Sequence, residues 1–144
     1  GGGDQTLDPQ RALLSETIDG TLADHLVVPD QMIVPKPPEL TFAEAACLGV
    51  TWGTAFRMLF TRAGLTAGDR VLVQGASGGV ASAAIALASA AGARVYATAR
   101  TEAKRAFALE CGAVQALPSG ERLPERVDVV VETVGEATWG HSLR

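Results

Sequence analysis

Residues 71–88, VLVQGASGGVASAAIALA, join an aliphatic run to a cluster of glycines and then to a run of alanines. Such a sequence predicts a strand that turns sharply into a helix. The amides at the start of a helix are unpaired and its dipole favours an anion, while small side chains let that anion approach the backbone. We therefore predict a phosphate-binding turn. Its predicted contacts are Ala76, Ser77, Gly78, Gly79 and Val80.

The spacing of these small residues matches the fingerprint of a dinucleotide-binding, Rossmann-type turn. The pattern reads Ala76-x-Gly78-x-x-Ala81 and is preceded by Gly75. Gly78 lets the backbone approach the phosphates, and Ala81 keeps the side chain small where the helix packs on the strand, so the alanine does not abolish the site. The alternative interpretation is a structural turn with an alanine-rich packing helix. The second strand that follows the turn favours the functional interpretation.

The end of the second predicted strand, Arg94–Thr98, bears on the choice of cofactor. An acidic residue there would bind the adenosine ribose of NAD, but this chain has Thr98-Ala-Arg100-Thr and no carboxylate. Arg100 can instead pair with a 2′-phosphate, and Lys104 follows one helical turn later. We therefore predict NADP(H) rather than NAD(H), bound with the help of Thr98, Arg100 and Lys104. The missing carboxylate also argues against a methyltransferase that binds S-adenosylmethionine.

The fourth predicted strand, Val127–Glu132, ends in a second turn of small residues. In a doubly wound sheet the carboxyl ends of the strands line the ligand crevice. Thr133, Val134 and Gly135 are therefore predicted to touch the ribose or nicotinamide side of the cofactor. Glu132 is interpreted as a structural residue.

The wider sequence alternates short apolar strands with helices of about a dozen residues. Predicted strands are Val71–Gln74, Arg94–Thr98, Val114–Leu117 and Val127–Glu132, and predicted helices are Trp52–Ala63, Gly79–Ala91, Glu102–Glu110 and one from Ala137. A capping box at Thr41–Glu44 begins a short helix ahead of them, and Gly20–Pro29 is interpreted as a strand. The alternation predicts an α/β fold with a doubly wound parallel sheet.

Composition excludes several other classes of protein. The chain has 144 residues, 47% of them hydrophobic and 19% charged, and a net charge of −4. Because there is no basic stripe and few aromatic residues, nucleic-acid binding is not expected. No apolar stretch is long enough to span a bilayer and no signal peptide opens the chain, so no membrane partner is expected. Two isolated cysteines, Cys47 and Cys111, are predicted to be buried free thiols in a reducing cytoplasm.

Several separated motifs together resemble the medium-chain dehydrogenase/reductase superfamily, which includes zinc alcohol dehydrogenases and quinone oxidoreductases. They are AGLTAGDRVLVQGASGGVASAAIALASAAGARVYATAR, ECGA and VDVVVETVG, preceded by GTLADHLVVPDQMIVPKP and TFAEAACLGVTWGTAFRML. The resemblance covers about residues 18–144. It implies a remnant of a GroES-like β domain and connector over 1–40 and a Rossmann-type domain over 41–144, C-terminally incomplete. The chain is therefore expected to be part of a larger protein.

By this resemblance the parent enzyme would transfer a hydride between NADP(H) and a small-molecule carbonyl, alcohol, quinone or enone. Thr54 matches a family position near the nicotinamide and joins the predicted cofactor contacts. The alternative is a catalytically inactive nucleotide-binding piece of such an enzyme. A short-chain dehydrogenase is excluded because it needs Tyr-x-x-x-Lys, whereas Tyr96 is followed by Arg100. A kinase-type phosphate loop is excluded because Gly-Lys-Ser/Thr is absent.

The resemblance also bears on zinc and on assembly. Structural zinc in the family uses four cysteines that residues 1–46 lack, and catalytic zinc often takes a ligand near Val50, where no ligand residue stands. Cys47 and His25 are interpreted as packed, structural residues, and His141 as exposed. The residues present therefore favour a zinc-independent, quinone-oxidoreductase-like member, and the alternative is that further zinc ligands lie in a part of the protein that precedes this chain. A homodimer formed through the edge of the cofactor sheet is implied, with the edge strand beyond Arg144.

Overall fold

The computed structural model describes residues 12–143. The chain divides between Lys36 and Pro37 into two compact units. In the first unit, a backbone bridge joins Leu14 to Ile18, and Asp30–Met32 forms a single 3₁₀ turn. This division lies four residues before the domain boundary expected at residue 40, and that boundary stays a prediction. The GroES-like remnant also stays a prediction.

The strand predicted over Gly20–Pro29 is wrong. This segment has no regular secondary structure, and the side chains of Leu22 and Val27 are fully exposed. A strand is stable only when its backbone groups pair with a neighbour, and no such partner lies within residues 12–36. The alternating sequence pattern alone does not supply one.

The second unit begins with a run of consecutive helical segments. Helix α1 spans Phe42–Cys47, a π-helical stretch follows over Leu48–Trp52, α2 covers Gly53–Phe56, and a second π-helical stretch covers Arg57–Arg62. The predicted capping box is present: the Thr41 side chain accepts from the Glu44 amide at 3.2 Å, and the Glu44 carboxylate accepts from the Thr41 amide at 2.8 Å. The run ends at Arg62, and Gly64, two residues later, has a φ of +65°, which favours glycine.

Four parallel strands form the sheet of this unit. They are β1 Arg70–Val73, β2 Arg94–Ala99, β3 Gln115–Pro118 and β4 Val129–Val131, and their spatial order is β3-β2-β1-β4. In the central strand β1, Val71 lies opposite Val95 of β2 on one side and opposite Val129 of β4 on the other. This order confirms the predicted doubly wound α/β fold, and its switch point lies between β1 and β4.

Three helices connect or follow the strands close to their predicted bounds. They are α3 Gly79–Ala90, α4 Glu102–Glu110 and α5 Glu136–Ser142. The core lies between α3 and the sheet, where Ala81, Ala84 and Ile85 are buried together with the aliphatic residues of β1. The alanines of α3 therefore let the helix approach the strands closely, as the sequence predicted for Ala81.

A bidentate ion pair joins β1 to β4 at the amino ends of the strands. Arg70 donates from Nε and Nη2 to the two carboxylate oxygens of Asp128 at 2.9 and 2.8 Å. The backbone amide of Arg70 donates to the same carboxylate at 2.9 Å, and the Asp128 amide donates to the Arg70 carbonyl at 2.8 Å. These hydrogen bonds and the guanidinium charge lower the pKa of Asp128 to about 2.

We expect the Asp128 ion pair to make stability depend on pH in the acid range. Because the folded pKa lies below the ordinary value of 3.8, the contribution is present above that value and is lost as pH falls towards 2. The D128N variant lacks this titration. The difference in unfolding free energy between wild type and D128N, measured with urea at several pH values, should shrink between about pH 5 and pH 2. A difference that stays constant over this range would contradict the expectation.

The two cysteine thiols and the lengths of the helices were also subjects of the sequence predictions. Cys47 is exposed and Cys111 is half-buried, so the prediction that both thiols are buried is wrong. No helix among residues 12–143 is long and apolar enough to cross a membrane.

Candidate functional site

The glycine turn between β1 and α3 is held by three backbone features. Gly75 has a φ of +68°, which non-glycine residues rarely adopt. The Gly78 amide donates to the Gly75 carbonyl at 3.0 Å, which closes the turn. The Ala76 amide donates to the Thr98 carbonyl at 3.0 Å, which ties the turn to the end of β2.

Gly78 is the residue that directly precedes α3, in the N-cap position, and no side chain caps the start of this helix. Its φ of −76° and ψ of 153° are accessible to any residue, so the backbone itself does not require glycine here. A Cβ built on Gly78 would meet nothing closer than the Gly75 carbonyl oxygen at 3.6 Å. The space over Gly78 is therefore open, and the unpaired amides at the helix start suit a phosphate group there.

The next residues of the turn have packing roles as well. A Cβ built on Gly79 would lie 2.8 Å from Thr51 Cγ2, so glycine allows the Leu48–Trp52 stretch to pack against the start of α3. Thr54 follows Thr51 by three residues on the same helical run and is exposed. Ser77 and Gly78 are also exposed, whereas Val80 is half-buried.

Two of the predicted cofactor contacts lie beneath the surface. Ala76 and Thr98 are both fully buried. The Thr98 hydroxyl donates to the side-chain oxygen of Gln74, and its carbonyl holds the Ala76 amide. Both residues therefore support the turn from below and do not line its open face.

The cations after β2 differ in what they already bind. Arg105 donates to the Ala99 carbonyl at 3.2 Å and to Glu102 at 2.5 Å, so its guanidinium is occupied within α4 and β2. Arg100 and Lys104 are exposed. Among residues 12–143, the ion pairs involve Arg70, Arg94 and Arg105 but not Arg100. Arg100 and Lys104 therefore lie on the segment that follows the carboxyl end of β2, and their contact with a 2′-phosphate stays a prediction.

The loop after β4 contacts the glycine turn directly. A Cβ built on Gly75 would lie 2.6 Å from Val134 Cγ2, so the two turns meet at the carboxyl ends of β1 and β4. Thr133 and Val134 are exposed, and Gly135 has a φ of +97°. The predicted contacts Thr133, Val134 and Gly135 therefore lie beside the turn that contains Gly78.

A buried hydrogen-bond network beneath the two turns was missed by sequence reasoning. Gln74 is fully buried, and its side-chain amide donates to His141 Nδ1 at 2.9 Å and to the Ser142 hydroxyl at 3.1 Å. His141 Nε2 lies 2.7 Å from the Glu121 carbonyl, so this pattern puts the ring proton on Nε2. His141 is thus half-buried and bonded, and its prediction as exposed is wrong.

The signal for this network is present in the sequence. Gln74 is a polar residue that ends an apolar strand directly before a glycine turn, and Thr138 and Ser142 are spaced four apart on one helix. A fully buried amide needs several partners, because an unpaired one costs free energy. The sequence does not say which residues supply them.

A zinc site is not formed by the described side chains. No group of three or more His, Cys, Asp or Glu residues within 12–143 is arranged to hold a metal ion. His25 and Cys47, predicted to be packed, are both exposed, and the Cys47 thiol donates to the Ala43 carbonyl at 3.4 Å. The described residues therefore do not fit a bound zinc ion.

Known proteins are similar to this chain in sequence and in fold. A family model described as zinc-binding dehydrogenase matches residues 79–144. The quinone oxidoreductase of Pongo abelii is 36% identical over 126 residues, which cover 88% of this chain and 38% of that protein.

Among the solved structures that match this chain, two have a TM-score of 0.73. One is an NAD-dependent alcohol dehydrogenase, 41% identical, covering 77% of this chain and 32% of that one. The other is the quinone oxidoreductase from Thermus thermophilus, solved also in complex with NADPH, which is 37% identical and covers 81% of this chain and 41% of that one. The chain thus spans less than half the length of each of these proteins.

Proposed function

The chain belongs to the medium-chain dehydrogenase/reductase superfamily, and on that premise we propose that it binds NADP(H) for an oxidoreductase. The reaction is transfer of a hydride between this cofactor and a small carbonyl, alcohol, quinone or enone. When bound, the nicotinamide supplies the hydride chemistry. The residues of this chain bind and orient the cofactor.

The open face over Gly78 is the observation that carries this proposal. A Cβ there would touch only the Gly75 carbonyl oxygen, at ordinary contact distance, so the fold does not need glycine at this position. A ligand that approaches the backbone does need it. The uncapped amides of α3 supply hydrogen-bond donors, and the pyrophosphate of a dinucleotide supplies the matching acceptors.

We assign the ends of the cofactor to the two sides of this turn. Arg100 and Lys104, beyond β2, receive the 2′-phosphate of the adenosine ribose. Thr133, Val134 and Gly135, beyond β4, receive the ribose and nicotinamide, and Thr54 lies on the helical run that packs against the start of α3. This assignment follows the crevice at the switch point between β1 and β4.

The cofactor preference is tested by replacing Arg100. R100A should weaken NADPH binding by about tenfold, because a charge-assisted pair with the 2′-phosphate is lost, and should leave NADH binding unchanged. Fluorescence titration of both cofactors measures this. R126A is the matched control, since Arg126 is exposed and precedes β4 at the opposite end of the sheet. Equal loss for NADH and NADPH in R100A would contradict the proposed preference.

An inactive nucleotide-binding unit is the second candidate. It is favoured by the share of the relatives that the chain spans, 38% for the quinone oxidoreductase of Pongo abelii. Oxidation of NADPH by small quinones and enones, and reduction of NADP+ by small alcohols, separate the two candidates. Turnover by the chain alone would exclude the inactive unit, whereas binding without turnover would support it. Neither candidate needs a metal ion, since the described residues do not fit zinc.

A further inference from the structure

The carboxylate of Glu132 lies at the end of β4 and binds the loop that follows it. Its Oε1 accepts from the amides of Val134 at 2.8 Å and Gly135 at 3.0 Å. The Thr138 hydroxyl lies 2.9 and 2.8 Å from the two carboxylate oxygens, and the Ser142 hydroxyl donates to Oε2 at 2.6 Å. One side chain thus fixes the loop to α5 at four points.

These bonds are strong enough to offset burial. Burial of Glu132 would raise its pKa, but hydrogen bonds from Ser142, Gly135, Val134 and Thr138 outweigh it and hold the pKa below the ordinary value. The carboxylate is therefore charged at neutral pH. It already meets the amides that an external anion would otherwise bind.

The two turns at the switch point consequently differ in chemistry. The glycine turn has an open face over Gly78 and an uncapped helix start. The loop after β4 likewise follows the carboxyl end of its strand, which neighbours β1. Its Val134 and Gly135 amides, however, already donate hydrogen bonds to the Glu132 carboxylate. The glycine turn therefore suits a phosphate group, whereas the negative charge of Glu132 repels a phosphate from the loop after β4.

We propose that Glu132 is a positioning residue that reserves the loop 133–135 for the ribose and nicotinamide of the cofactor, which carry no negative charge. Its carboxylate serves as a built-in anion for the loop, so the phosphates are directed to the glycine turn alone. The same hydrogen bonds hold Val134 against Gly75, where a Cβ built on Gly75 would lie only 2.6 Å from Val134 Cγ2. The inference rests on the proposed function.

The test compares two probes, NADPH and 2′,5′-ADP, which share the phosphorylated adenosine half of the cofactor. NADPH carries both halves, whereas 2′,5′-ADP keeps the adenosine with its 2′- and 5′-phosphates and lacks the nicotinamide, its ribose and the second phosphate of the pyrophosphate. In E132A we expect NADPH binding to weaken by about tenfold and 2′,5′-ADP binding to change less than about twofold. Addition of formate should restore part of the NADPH affinity, because formate can replace the missing carboxylate at the freed amides. E132Q, which keeps one acceptor oxygen, should lie between E132A and wild type.

A readout without cofactor separates positioning from loss of fold. Amide hydrogen exchange at Val134 and Gly135 should accelerate in E132A, while the amides of β1 and β2 stay protected. If E132A does not fold, E132Q and S142A, which remove part of the carboxylate's bonds, take its place.

Three results would overturn the inference. Equal weakening of both probes would assign Glu132 a general structural role. Unchanged NADPH affinity with accelerated exchange at Val134 and Gly135 would show that the loop does not hold the cofactor. Wild type that binds neither probe would remove the proposed function itself, and the inference with it, whereas binding of both by wild type isolates the role of Glu132.

Discussion

Replacing Gly78 by aspartate is expected to abolish cofactor binding while leaving the fold intact. The aspartate side chain would fill the open space over the turn and place a negative charge where the pyrophosphate belongs. We expect NADPH affinity to fall by more than about 100-fold, which corresponds to roughly 3 kcal/mol. Because the φ and ψ of Gly78 suit any residue, the thermal midpoint should change little.

Two matched variants separate steric from electrostatic effects in this prediction. G78A adds only a Cβ and should weaken binding less than G78D. G75A instead requires a φ of +68° and a contact of 2.6 Å with Val134 Cγ2, so it should destabilise the fold. NADPH titration together with thermal unfolding measures all three. Full affinity in a folded G78D would show that phosphates do not bind over Gly78.

Replacement of Gln74 by leucine should cause a large loss in the free energy of unfolding. Gln74 is fully buried, and its amide is bonded to Thr98, His141 and Ser142. Leucine has a similar size but leaves these polar groups without their partner in the interior, at about 1–3 kcal/mol for each unsatisfied group. We expect a loss of about 3 kcal/mol in the free energy of unfolding measured with urea.

The control for this substitution is the same change on the surface. Gln115 is exposed on β3, and Q115L should alter stability by no more than about 0.5 kcal/mol. A loss in Q74L as small as that in Q115L would mean that the network contributes nothing net. A large loss in Q74L accompanied by normal NADPH affinity per folded molecule would limit the network to stability.

The strands and helices of the second unit were predictable because their signals are local. Aliphatic runs bounded by glycine gave β1 to β4, and the capping box at Thr41 and Glu44 gave the start of α1. The sharp turn between β1 and α3 was predictable for the same reason, since its residues are contiguous.

The rest depends on partners distant in sequence. The predicted strand at Gly20–Pro29 has the right residues but no pairing partner within residues 12–36. The bonds of Gln74 cross more than sixty residues to His141 and Ser142. The availability of Arg100, as against the occupied Arg105, depends on where α4 docks on β2.

Parallel calorimetric titration of this chain with NADPH and NADH tests the central claim most directly. The account predicts saturable binding of one molecule per chain, with NADPH bound about tenfold more tightly than NADH. Tighter binding of NADH would contradict the role of Arg100 and keep the glycine turn as the phosphate site. Absence of saturable binding for either cofactor would contradict the claim itself and leave the turn at Gly78 a structural feature.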